Sequence, residues 1–146
     1  MKGPKAERIA GLRQPLLELH KAMLDAQRIR YERAHGRIET RGEFLGRVLH
    51  HPDFEWIRAL STLIAQLDEW AEEESAGNDA DLAAIVEAVR ALVQPAGENA
   101  AFSCRYWDLV ENEPAVTMAH VKVWRVVDGP PPAPPDVQQG TPSPEA

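Results

Sequence analysis

The sequence predicts an all-α, single-domain bundle of five or six amphipathic helices, followed by a disordered Pro-rich C-terminal tail. Three observations carry this. Apolar residues recur at three- and four-residue steps through most of positions 1–128, the period of a helix with one buried face. Capping residues, prolines and glycines punctuate that pattern where helices would begin and end. From position 129 the periodicity stops and proline dominates. The boundaries that follow are a helical domain at 1–128 and a tail at 129–146.

The first long helix is predicted over Pro15–His35. Pro15 suits a first turn and Gly36 a terminus. Leu16, Leu19, Met23 and Ala26 form its stripe, widened by Leu17, Leu24 and Tyr31. Residues 5–13 read as a short preceding helix or a frayed lead-in. Thr40 and Glu43 make a T-x-x-E capping box that opens a short helix through Phe44, Leu45, Val48 and Leu49. That helix must stop near His51, because Pro52 follows.

Pro52–Glu74 reads as one long amphipathic helix, with Trp56, Ile57, Leu60, Leu63, Ile64, Leu67, Trp70 and Ala71 on one side. The two long helices should pack as an antiparallel pair, with the short one forming the corner between them. SAGND is a loop with Asp79 as N-cap, leading into a helix over 80–94. Further helices are expected over 98–112 and 115–127. The last contains Val121-Lys122-Val123, which permits a strand, but Pro114 as a helix start and the spacing of Val116, Ala119, Val123 and Val127 favour helix. The tail, GPPPAPPDVQQGTPSPEA, has too little apolar content to offset its ordering entropy. Its P-x-x-P spacing also fits ligands of aromatic grooves, though a solubilising role is favoured.

Composition narrows the function classes. The 146 residues carry a formal net charge of −7 and a single cysteine, Cys104. One cysteine excludes an intramolecular disulfide and a multi-cysteine metal site. The N-terminal residues lack an apolar run of signal-peptide length, and no stretch approaches the about 18 apolar residues of a membrane span. A cytoplasmic protein is the consistent expectation. Charge is divided unevenly: residues 1–47 hold eleven Lys/Arg against six acids, a balance of +5, and the remainder holds five against seventeen, or −12. Nucleic-acid binding through Arg28, Arg30, Arg33, Arg37 and Arg41 is disfavoured, because Glu32 and Glu39 interleave and Arg28–Glu32 is an i,i+4 pair. The +5 segment is expected to lie against the acidic helices, within one chain or across a dimer.

The segments RQPLLELHKAMLDAQRIRYERAHG, GEFLGRVLHHPDFEWIRALSTLIAQLDEW and YWDLVENEPAVTMAH resemble a group of uncharacterised bacterial all-helical proteins. The likeness covers about residues 12–72 and 106–120. That group has no established activity, so the resemblance implies a helical bundle and no catalytic residue.

No phosphate loop, dinucleotide fingerprint, nucleophile elbow or H-E-x-x-H motif occurs. These absences weaken an enzymatic reading, and no catalytic residue, cofactor or metal is assigned. A di-metal carboxylate bundle needs paired Glu-x-x-His motifs, and only Glu32–His35 is present. His50 and His51 read as a solvated helix end. Polar residues on apolar faces supply a candidate core site: His20, Gln27 and Arg30 fall inside the first helix's stripe, His120 inside the last, and Asp68 beside another. His20, Gln27, Asp68 and His120 meeting in one core would make a ligand or proton-transfer pocket. Satisfied core histidines are the simpler reading. Trp107 and Val121 project off their stripes and are candidate interface residues. The leading expectation is therefore a non-enzymatic interaction or regulatory module that binds a protein partner or itself as a homodimer. A small-ligand, metal or acid/base site around His20 and His120 is the alternative, and nucleic-acid binding the third.

Overall fold

The computed structural model describes residues 3–73, 77–95 and 99–128. The Pro-rich tail at 129–146 lies outside the described residues, as do 74–76 in the SAGND region and 96–98. Seven helices and no strand occur among the described residues. They are α1 (Pro4–His35), α2 (Arg41–His50), α3 (Pro52–Glu55), α4 (Arg58–Glu72), α5 (Asp79–Val93), α6 (Ala100–Asn112) and α7 (Pro114–Asp128). The all-α expectation holds, with seven helices in place of five or six.

Two local corrections are needed, and the second of them adds the extra helix. Pro15 does not start a helix; α1 runs through it as one 32-residue element. An interior proline removes a backbone donor and crowds the carbonyl four residues back. Here that position is Gly11. Ile9 and Leu12 before the proline are buried in the same stripe as Leu16 and Leu19 after it, so apolar burial holds the helix together across the lost bond. The second correction lies at Trp56–Ile57, where the expected Pro52–Glu74 helix divides. The Trp56 indole N–H donates to the Asp53 carbonyl (2.8 Å). That carbonyl would otherwise receive the Ile57 amide, which bonds instead to Phe54 O (3.0 Å). The chain tightens for one turn while Trp56 and Ile57 stay in the right-handed helical region.

Capping follows the sequence closely elsewhere. Thr40 Oγ1 accepts the Glu43 amide (3.0 Å) and the Glu43 carboxylate accepts the Glu39 amide (3.1 Å). The α5 cap is Asn78, one residue before the expected Asp79, and its partner in the capping box is Asp81. Residues 114–128 are helical, which resolves the strand alternative.

α1 is the strut of the bundle. It runs antiparallel to α4, as expected, and makes its most extensive interface with α7. Val116, Val123 and Val127 of α7 join Leu16, Leu19 and Met23 of α1 in the main core, with Leu60, Leu67, Val89, Tyr106 and Leu109 from the other helices. A second, smaller core sits at the α1–α2–α3 corner, where Tyr31, Ile38 and Phe54 are buried under Leu24, Phe44 and Val48. α2 has no fully buried residue and packs mainly on α3.

The divided charge closes within the chain. Arg8 pairs with Asp79, Arg13 with Asp68, and Arg30 with Asp108 and Glu113. Each joins the basic α1 to a residue of the acidic remainder. Such half-exposed pairs contribute little stability individually, but they select the arrangement of helices.

Candidate functional site

The four polar residues offered as a candidate core site do not converge. His20 faces α4, with Nε2 2.7 Å from Ser61 Oγ. His120 faces α6, where its Nδ1 lies 2.5 Å from the Tyr106 hydroxyl and its ring packs against Trp107 and Trp124. Asp68 is engaged by Arg13. Gln27 is buried in α1. No two of the four line one cavity among those described. Helical projection placed His20 and His120 on the inner sides of their helices, but His20 turns to α4 and His120 to α6.

The two histidines have distinct chemistry. Burial pushes the Tyr106 hydroxyl far up, so it stays protonated and donates. His120 must then accept at Nδ1 and carry its proton on Nε2. Desolvation lowers the pKa of both His20 and His120, which keeps both rings neutral near pH 7. Among the described residues neither ring has a carboxylate partner, so no third member orients the His20–Ser61 contact there.

His20 and Ser61 form the floor of a cleft of about 110 Å³ between α2 and α4, walled by Val48, Leu49, Phe54, Ile57 and Arg58. The Arg58 guanidinium donates to Leu49 O (2.8 Å), closing the end of α2 over it. From the rim of the cleft outward, α2 presents Leu49, Leu45 and Arg41 at four-residue steps on one face. Leu45 is 57% and Leu49 46% exposed. Gly42 and Gly46 flank them, and a Cβ at either would meet nothing within 4 Å.

Trp107, expected at an interface, is partly covered by its own chain. Its ring packs against the main core, Tyr106 and His120. The indole nitrogen is buried and has no hydrogen-bond partner among the described residues. Val121 is half-buried on α7. The exposed large apolar residues are instead Ile29, Leu45, Leu49, Met118 and Val126. In the basic segment, Arg28 is held by Glu32, Ile38 O and the Phe44 ring, and Arg30 by Asp108 and Glu113. Arg33, Arg37 and Arg41 remain exposed.

The α1–α3 corner holds a constellation that linear spacing did not reveal. His35, His51 and Asp53 place ligand-capable atoms within 4.8 Å of one another. The lone Glu32–His35 motif, not taken as a site from the sequence, does not come together, because Glu32 turns to the Ile38 amide and Arg28. His50 is exposed, while its neighbour His51 turns inward to cap α3.

Compared with known protein families, curated proteins and solved structures, the chain matches none. No helix among the described residues is long and apolar enough to cross a membrane.

Proposed function

We propose that this chain is a non-enzymatic interaction module of the bacterial cytoplasm that pairs with a second copy of itself through α2. The observation carrying this reading is the exposed Leu45–Leu49 stripe on a helix that has no fully buried residue. A stripe of this kind suits a two-fold arrangement, because antiparallel packing sets Leu45 of one copy against Leu49 of the other. Gly42 and Gly46 let the two backbones approach, and Arg41 at the edge of the stripe finds acidic surface on a chain of net charge −7. The cleft beside Leu49 has room for one apolar side chain. A ten-residue helix is about 15 Å long, so the interface is small and the pairing weak.

A non-enzymatic role is supported by the separation of His20 from His120 and by the commitment of Arg13 to Asp68. The test is analytical ultracentrifugation of the full chain over a wide concentration range, alongside Leu45→Glu. A reversible dimer that the substitution dissolves is expected. A monomer throughout, or a dimer indifferent to Leu45→Glu, refutes the reading.

A further inference from the structure

We infer that His35, His51 and Asp53 form a binding site for a borderline divalent transition-metal ion of the Zn²⁺ class. The three residues come from different places in the fold. His35 ends α1, after which Gly36 turns the chain with φ +95°. His51 caps α3, and Asp53 lies in the first turn of α3. Tyr31 holds them together, with its ring centroid 4.5 Å from that of His35, 5.0 Å from His51 and 5.7 Å from Phe54. Because Tyr31 and Phe54 belong to the corner core, the imidazoles are mounted on packed residues.

The spacings point to coordination more than to hydrogen bonding. His35 Nε2 lies 3.6 Å from Asp53 Oδ2, and His51 Nδ1 lies 3.9 Å from Asp53 Oδ1. Both exceed hydrogen-bond length. Donors about 2.1 Å from a tetrahedral ion stand about 3.4 Å apart, so small side-chain rotations would bring these onto one metal. The ligand types agree: two imidazoles and one carboxylate suit zinc and its neighbours better than calcium or magnesium. His51 Nδ1 accepts the Asp53 amide (3.1 Å), so that nitrogen is unprotonated, and an ion coordinated there would take the place of this capping bond. Three protein ligands leave a fourth position for water. A bound ion would tie the end of α1 to the start of α3 across the segment that carries α2.

Calorimetric titration of the full chain with Zn²⁺, and the visible spectrum of the Co²⁺ form, test this. One ion per chain is expected, with a Co²⁺ spectrum of nitrogen and oxygen ligation. Thermal stability should rise with Zn²⁺, since the ion binds the assembled site. His35→Ala and Asp53→Asn should each weaken binding about tenfold or more and remove the stabilisation. His35 is exposed, so its substitution leaves the fold intact, which circular dichroism verifies. His50→Ala and Cys104→Ser should bind as the parent does. Absence of stoichiometric binding overturns the inference. Binding that survives both ligand substitutions, or is lost with His50 or Cys104, also overturns it.

Discussion

Replacing Tyr106 by Phe isolates the one hydroxyl that fixes the state of His120. Tyr106 is 0% exposed, and its hydroxyl donates to His120 Nδ1 at 2.5 Å. The ring and its contacts with Phe102 and Trp107 are retained in the variant. A hydrogen bond of this kind contributes about 1 kcal/mol net. An acceptor left without a donor costs about 1–3 kcal/mol when fully buried. His120 is only half-buried, so water partly replaces the donor and the lower end applies. The expected destabilisation is about 1.5 kcal/mol, or about 6 °C in Tm for a domain of this size. Urea unfolding measures it, and NMR titration of the imidazole supplies an independent signature. Loss of a donor to the neutral ring should move the His120 pKa upward, while His20, bonded to Ser61, should not move. Unchanged stability, or a His120 pKa that falls, would refute the reasoning.

Acid sensitivity should appear first through the two histidines. Their folded pKa values lie below the ordinary one, so on acidification the unfolded chain takes up protons before the folded chain does. Stability is therefore full above about pH 6.5 and declines as pH falls from there toward the depressed folded values, by at most about 1.4 kcal/mol per pH unit per histidine. Tm measured from pH 7.5 to 5 should show this decline, and His120→Gln should flatten it. Glycine substitutions should have opposite signs at two positions. Gly77→Ala forces an L-residue to φ +73° with its Cβ 3.0 Å from Trp70 Cβ, and should cost about 1–2 kcal/mol. Gly11→Ala, in α1 with nothing within 4 Å, should gain about 0.5–1 kcal/mol by thermal denaturation.

What the sequence made legible was local. The Thr40 cap, the stop before Pro52 and the start at Pro114 all depend on neighbours within four residues and appear where expected, although Glu43 closes back on the Glu39 amide rather than on that of Thr40. Pro15 misled because its local cost is outweighed by Ile9 and Leu12, whose burial depends on distant helices. The break at Trp56 turned on a side chain competing for a backbone carbonyl, which periodicity does not register. Site residues were less legible still. His20 and His120 each face inward, but which helix lies opposite is a matter of packing. His35 and His51 are sixteen positions apart and meet only because α2 folds the corner between them. Trp107 looked unpartnered because its cover comes from His120, on the following helix.

The principal interface of the bundle joins the first helix to the last. During synthesis α1 emerges before every surface on which it will pack. Its interface with α4 can form early, but residues 114–128 are needed before Leu16, Leu19 and Met23 are covered on the α7 side. Until then a helix about 48 Å long carries an open apolar stripe. The nascent chain is thus committed late, and its final helix acts as a latch. A truncation that removes α7 would leave the longest helix without its main partner, whereas one confined to the segment after Asp128 would leave the latch in place.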